Sequence, residues 1–267
     1  MRDAKPITDQ AYWDQEWGRV AKLRPINPLR PGLRNYVNRK LHEFYTSAFA
    51  GTEPRGKQLI EMGCGGSRWL PYYRAAFGCE ITGLDYSHIG CIAAKALLDD
   101  LQMPGKIIQG DMFKPPVGLH GKFDYLVSNG LVEHFADTGA AVAACAAFLK
   151  PGGLMITSVP NMTGPLGWLQ RLFDSELYEK HVPLSRADLA LAHGHAGLEI
   201  VSCDYVMLAH LGVLQFGALQ RITGPRIAQV IKVAISSPVW LIGPRLGMKP
   251  NRYTSPYIFC VARKPKA

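Results

Sequence analysis

The sequence predicts an α/β fold built on a mostly parallel sheet, and three observations carry that prediction. Residues 57–160 alternate short apolar runs with helix-like segments at the spacing of successive β-α units. The first run opens onto three glycines within four positions, in LIEMGCGGSRWLP (59–71). The next two runs each end on an acid, Asp85 in GLDYS and Asp111 in QGDMF. Such an order places a glycine corner and two carboxylates at the carboxyl edge of one sheet, where open α/β sheets bind their ligands.

The strand-like runs are KQLIEM (57–62), CEITGLD (79–85), GKIIQGD (105–111), KFDYLVSN (122–129) and GLMITSVPN (153–161). Between them lie HIGCIAAKALLDDL (88–101) and the alanine-rich TGAAVAACAAFLK (138–150), which read as helices. The second ends in Lys-Pro-Gly-Gly, a basic last turn followed by breakers. A further helix over residues 185–196 leads to LEIVSCDYVML (198–208), and SPYIFCVARK (255–264) closes the chain as an antiparallel strand. The sum is a Rossmann-like sheet of seven strands with helices on both faces.

Before the sheet, YWDQEW, the proline-rich basic turn RPINPLRPGLRN and a helix from Val37 to Phe49 form an N-terminal helical cap over residues 1–56. The ligand-binding sheet domain spans 57–207. Residues 208–252 insert apolar, basic helices before the last strand at 253–267.

With 48% hydrophobic and 19% charged residues the chain is an ordinary globular protein, long enough at 267 residues for one generous core. Its six cysteines are scattered, with no C-x-x-C pair and no Cys/His group at metal-ligand spacing, so they read as reduced. The start, MRDAKPITDQ, has no apolar stretch resembling a signal peptide, which makes the cytoplasm the expected compartment.

Charge is unevenly placed. Of 30 basic residues nine follow Tyr205 (Arg221, Arg226, Lys232, Arg245, Lys249, Arg252, Arg263, Lys264, Lys266), where no acid occurs. Positions 1–204 are therefore balanced, with 21 basic and 21 acidic residues, and the whole net charge of +9 lies in the tail.

The glycines at 63, 65 and 66 let a ligand lie against bare backbone, although a tight structural turn needs the same residues. A dinucleotide fingerprint would place glycine where Arg68 stands, and the acid at Glu61 also disfavours a nicotinamide enzyme. Asp85 can accept both hydroxyls of a ribose or cap the helix that follows. Asp111 can accept from an adenine amino group with Met112 or Phe113 packed on the ring, or simply end a strand.

Further on stand F-D-x-(apolar)₂ in FDYLVSNGLVEHF (123–135) and LKPGG (149–153). The ordered series of acid-G-x-G, two strand-ending acids, F-D and L-K-P-G-G resembles the class I S-adenosylmethionine-dependent methyltransferases, over residues 57–161. More narrowly it is similar to the small-molecule branch that acts on quinones and natural products, where E-H after strand four is frequent. Ser67 departs from the family's third glycine. The resemblance implies that Glu61 and the loop Gly63–Cys64–Gly65 hold the methionine end of S-adenosyl-L-methionine. Asp85 with Tyr86 would take the ribose, and Asp111 with Met112 the adenine. Ser128 and Asn129 would face the sulfonium and the acceptor.

Aromatic faces of the cap, Tyr12, Trp13 or Trp17, could favour a cationic sulfonium or could merely pack on the core. Methyl transfer is an in-line displacement, and a hydroxyl nucleophile must lose a proton. His134 and His181 are the candidate general bases because histidine titrates near neutrality. Glu133, Asn161, Tyr178 and Trp13 are candidate acceptor contacts. No [N/D]-P-P-[Y/F] run and no Pro-Cys nucleophile follows strand four, which argues against nucleobase methylation. The metal-dependent catechol methylases carry an Asp where Ser128 stands, so no metal is expected.

Three classes of function stay open. One is a soluble small-molecule O-methyltransferase with the tail as lid over an apolar or anionic acceptor. Another is a peripheral membrane enzyme acting on a lipid, quinone or lipid-linked sugar, with 208–252 against the membrane. The third, a nucleic-acid binder, lacks clustered basic residues with interleaved aromatics. In RIAQVIKVAISSPVWLIGPRLG, Ile227, Val230, Ile231, Ala234 and Ile235 share one helical face, and Lys232 and Pro238 leave the run too short to span a bilayer.

Overall fold

The computed structural model describes residues 5–20, 22–211, 214 and 224–266, with only the backbone of Pro225 and Arg226. Met1 to Ala4 and Arg221 of the sequence reading lie outside the described residues.

Seven strands form one sheet in the order β3-β2-β1-β4-β5-β7-β6. They are β1 (Gln58–Met62), β2 (Glu80–Asp85), β3 (Lys106–Gln109), β4 (Phe123–Asn129), β5 (Leu149–Pro160), β6 (Glu199–Val206) and β7 (Tyr257–Arg263). Strands β1 to β5 pair in parallel, and β7 enters antiparallel between β5 and β6. Adjacent residues of one strand face opposite layers, so Ile60, Leu126 and Met155 join one core and Leu59, Val127 and Ile156 the other. Apolar residues at successive positions are what a sheet covered on both faces requires.

The helices are α1 (Gln10–Gly18), α2 (Tyr36–Ala48), α3 (Trp69–Phe77), α4 (His88–Asp100), α5 (Thr138–Ala146), α6 (Pro165–Phe173), α7 (Ser175–Glu179), α8 (Arg186–His195) and α9 (Pro225–Ile242). In α4 the N-cap Ser87 accepts from the Gly90 amide, and Asp14 of α1 accepts from both the Ser87 hydroxyl (2.6 Å) and the Ile89 amide (3.2 Å). That double contact fixes the N-terminal cap to the carboxyl edge of β2. A second tie runs from the Ile7 amide to the His134 carbonyl (2.8 Å).

Two expectations from the sequence are corrected. The alanine-rich helix ends at Ala146, not at Lys150, and β5 already begins at Leu149. The chain leaves the helix because the Phe123 amide takes the Phe148 carbonyl (3.1 Å) and Lys150 Nζ reaches both Asp124 oxygens at 2.9 Å. Pairing with β4 overrides the breakers Pro151 and Gly152. The second correction concerns 227–246, which is long and apolar enough, at mean hydropathy 1.4, to cross a membrane by length and composition.

Packing of α9 leaves most of its apolar face outward, as the membrane-facing alternative requires. Its buried stripe is Ala228, Lys232, Ser236 and Trp240, whereas Ile227, Val230, Ile235, Leu241 and Ile242 are exposed. Trp240 stacks on Tyr36 of the cap with ring centroids 4.4 Å apart, and its Nε1 donates to the Ala209 carbonyl (2.6 Å). One aromatic anchor and a polar stripe thus hold the tail helix to the fold.

Candidate active site

At the carboxyl ends of β1, β2 and β4 the chain encloses a cavity of about 750 Å³, roofed by α1 and α2. Glu61, from the end of β1, is 2% exposed. Its Oε2 accepts from the Ser67 hydroxyl (2.5 Å) and its Oε1 from Asn129 Nδ2 (3.3 Å). Burial pushes its carboxyl up to about 7, against the partial relief of those two donors. Ser67 in turn accepts from the Trp69 and Leu70 amides (3.0 and 3.3 Å), so it caps α3 while serving Glu61. The hydroxyl standing in the third glycine position is therefore a link between the acid and the helix.

Asn129 gathers a polar network beneath the cavity. Its Oδ1 accepts from the hydroxyls of Tyr45 and Ser158, both at 2.9 Å, and its Nδ2 also donates to Tyr73 Oη (3.1 Å). The Tyr73 hydroxyl closes the ring onto Tyr45 (3.0 Å). Strands β1, β4 and β5 and helices α2 and α3 each contribute one member, so the network locks the cap helix α2 to the sheet.

Asp85 ends β2 and is buried. Its Oδ2 accepts from the Gly65 amide and its Oδ1 from the Ser87 amide, each at 2.7 Å. Burial raises its carboxyl, and the two backbone donors pull it back. The glycine loop passes directly over it, with Gly63 and Gly66 in the left-handed region at φ +71° and +55°. A Cβ on Gly65 would stand 2.4 Å from Trp17 Nε1 and 2.9 Å from Asp85 Oδ2, and one on Gly66 would stand 2.8 Å from Trp17 Cε3. The bare loop is therefore a flat surface on which an indole lies, and only glycine allows that approach.

The third group is Asp111, Met112 and Phe113, which line the far end of the cavity beside Tyr86. Asp111 is exposed and its Oδ1 accepts from the Phe113 amide (2.8 Å), holding the turn after β3. Arg68 also lines the cavity, but its Nε donates to the Arg24 carbonyl (2.6 Å).

Of the residues singled out from sequence, Glu61, Gly63, Gly65, Asp85, Tyr86, Asp111, Met112, Asn129 and Trp13 meet at this cavity. Seven do not: Glu133, His134 and His181 form a separate cluster, and the other four each have a physical reason. The Cys64 side chain turns into the core, where its sulfur would lie 2.5 Å from a Cβ on Gly83. Ser128 precedes Asn129 on β4 and so faces the opposite side of the sheet, fully buried. Asn161 donates to the carbonyls of Arg252 and Ser255, both at 2.9 Å, and clamps the return of the chain into β7. Tyr178 sits on α7 with the Arg171 guanidinium 6.0 Å from its ring, away from the lining.

Glu133, His134 and His181 form a cluster just behind the cavity wall. Their ligand-capable atoms lie within 4.8 Å of one another, although 47 residues separate the two histidines in sequence. The Val182 amide donates to the Glu133 carbonyl (2.7 Å), which brings the segments together. Burial and the neighbouring His181 draw His134 down to about 3, and burial also lowers His181. Burial pushes Glu133 up to about 8.

Sequence reasoning missed Tyr45, Tyr73 and Ser158. No local motif marks the two tyrosines, whose hydroxyls meet each other and Asn129 only once α2 and α3 pack on the sheet. Ser158 shares the edge position of Asn129 on the neighbouring strand, as their register shows, and that pairing was the one available signal.

A family model described as a methyltransferase domain matches residues 33–203. A ubiquinone biosynthesis O-methyltransferase of Rhodopseudomonas palustris (strain BisB18) is 33% identical over 155 residues, covering 57% of this chain and 58% of that protein. The match thus spans well under two thirds of that relative's length. Among solved structures, geranyl diphosphate C-methyltransferase from Streptomyces coelicolor A3(2), in complex with Mg²⁺, geranyl diphosphate and S-adenosyl-L-homocysteine, is similar at TM-score 0.60 and 15% identity, over 97% of this chain and all of that one. The cyclase SpnF is similar at TM-score 0.60 and 14% identity, over 96% and 93% of the two chains. At such identities the likeness is one of fold, and a cyclase on the same fold means that the reaction must be argued from the site.

Proposed function

From the premise that this chain belongs to the methyltransferase-domain family, we propose that it transfers a methyl group from S-adenosyl-L-methionine to a hydroxyl of a small-molecule acceptor. The observation that carries the reading is the conjunction of two buried carboxylates with a glycine loop too close for any Cβ. The cavity residues fit that cofactor. Glu61 offers a carboxylate for an ammonium group, Asp85 an acceptor for ribose hydroxyls, and Met112 with Phe113 a soft wall for a flat base. When bound, the cofactor supplies an electrophilic methyl on a cationic sulfur.

The chain's own part is positioning. Asn129, held by four neighbours, fixes the polar floor, and Trp13 and Trp17 of α1 cover the site from above and exclude water. Trp17 must shift from Gly65 and Gly66 as a ligand takes the loop, which makes α1 the lid. Removal of the acceptor proton falls to the Glu133–His134–His181 cluster. His181 is the more accessible of its two histidines, being half-buried where His134 is buried. Incubation with methyl-labelled cofactor and a panel of phenolic and catecholic quinone precursors tests the reading. Labelled O-methyl ether is expected, and label in none of them would overturn the acceptor class.

A second reading is favoured by one feature, the outward apolar face of α9. With Trp168, Leu172 and Phe173 also exposed on α6, and a tail free of acids, the protein would rest on an anionic membrane and take its acceptor there. Cosedimentation with phosphatidylglycerol vesicles that falls with Ile235→Glu supports it. A protein that stays in the supernatant would place it in the cytoplasm as a soluble enzyme.

A further inference from the structure

We propose that Cys203 and Cys260 form an oxidisable thiol pair, which a hydroperoxide converts to a cross-strand disulfide that staples the edge of the sheet. Far apart in sequence, the two residues stand directly opposite each other in the antiparallel ladder of β6 and β7. Opposed residues of such a ladder have Cα atoms about 4.5 to 5.5 Å apart, inside the range of about 4.4 to 6.8 Å that a disulfide spans. Their side chains share one face, since Cys260 belongs to the core layer of Ile258 and Ala262 and Cys203 packs against it.

The Cβ atoms of an opposed pair must still close by up to about 1 Å for the bond to form. The ladder supplies that freedom. Its register shifts between Ile200 and Ser202, so Val201 is the extra residue of a bulge two positions before Cys203. A bulge bends its strand and raises the local twist, and β6 is an edge strand, paired with β7 on its inner side.

The thiols already touch. Cys203 Sγ donates to the Arg186 carbonyl (3.4 Å), and its lone pairs accept from the fully buried Cys260 thiol. That contact holds Cys203 below the ordinary thiol range and raises Cys260; the Arg186 guanidinium also favours the Cys203 thiolate, and Asp204 opposes it. Cys203 is half-buried, whereas the other five cysteines are buried, so an oxidant meets it first.

The chemistry balances over two steps. The Cys203 thiolate attacks one oxygen of the hydroperoxide, the O–O bond breaks, and the second oxygen leaves with its electron pair and takes up a proton. Cys260 then loses its proton and attacks the sulfenic sulfur, forming the S–S bond as water leaves. Two thiols are oxidised and one hydroperoxide is reduced. The bond closes residues 204–259 into a loop that contains α9, and the β7 end of that loop carries Tyr257 and Phe259 of the cavity wall. Cross-linking so long a loop constrains the unfolded chain strongly, so oxidation stabilises the tail segment that Trp240 anchors. None of this depends on the proposed methyl transfer.

The test treats the reduced full chain with a small excess of hydrogen peroxide, blocks remaining thiols with N-ethylmaleimide and maps the unreduced peptides by mass spectrometry. A peptide joining Cys203 to Cys260 is expected within single chains, lost on adding dithiothreitol, with the urea midpoint of the oxidised protein raised by about 1 M. In Cys260→Ser, dimedone should trap a sulfenic acid at Cys203, and in Cys203→Ser neither the link nor a trapped sulfenic acid should appear. A link between other cysteines, overoxidation of Cys203 without a link, equal trapping at Cys260 in Cys203→Ser, or an unchanged midpoint overturns the proposal. Circular dichroism checks the fold of each variant, and should one fail, the peptide map and midpoint of the parent chain decide.

Discussion

Replacing Glu61 by glutamine should flatten part of the protein's pH-dependent stability, and the size of the effect follows from the site. Burial moves this carboxyl from 4.5 to about 7. The folded state then binds the proton more tightly than the unfolded chain, so stability falls as pH rises from about 4.5 to about 7 and levels off above. Across that window the loss is about 3 kcal/mol, and the full burial of Glu61 leaves no solvent to screen it. Glutamine keeps the acceptor for Ser67 but turns an amide toward Asn129 Nδ2, a cost independent of pH that cancels in the comparison. Urea unfolding of both proteins at pH 5 and pH 8 measures the difference. The parent chain should lose about 2.5 kcal/mol more than Glu61→Gln between these conditions, since pH 5 already lies inside the window. Equal losses would refute the claim that Glu61 is a desolvated carboxylate. A ligand ammonium at Glu61 should also release a proton near pH 6.5, seen as buffer-dependent binding heat.

Ser67→Ala removes the cap of α3 together with a donor to Glu61, and thermal unfolding should register a loss of about 1 to 2 kcal/mol. Gly65→Ala should abolish S-adenosylhomocysteine binding while near-native circular dichroism persists, because the methyl displaces the Trp17 indole rather than the sheet. Trp17→Phe should remove most of the tryptophan-fluorescence change that accompanies ligand entry, and a change of full size in that variant would rule out α1 as the lid.

The strands and their shared ligand edge could be read because each β-α unit carries its own marker at the carboxyl edge. Glu61, Asp85 and Asn129 all project from strand ends into one cavity, so linear spacing sufficed to gather them. Alternation along β4 could have separated Asn129 from Ser128, since neighbours in a strand face opposite layers. The end of α5 was hidden because Pro-Gly-Gly ends helices in general, yet here the pairing of β5 with β4 takes over from Leu149. Cys64 misled for a related reason: a loop that holds ligands by its backbone leaves its side chains free to pack elsewhere. The Glu133–His134–His181 cluster depends on a turn that returns 47 residues later, which no local pattern encodes. In α9 the apolar face was legible from its spacing, but which way it points was not, because that is set by tertiary packing through Trp240 and Lys232.

Calorimetric titration of S-adenosylhomocysteine into the parent chain and into Asp85→Ala tests the central claim most directly. One equivalent should bind to the parent, and loss of a charged acceptor for ribose hydroxyls, about 1.5 to 3 kcal/mol, should weaken the variant roughly tenfold to a hundredfold. No binding to the parent, or equal affinity in a variant whose circular dichroism is native, would contradict it.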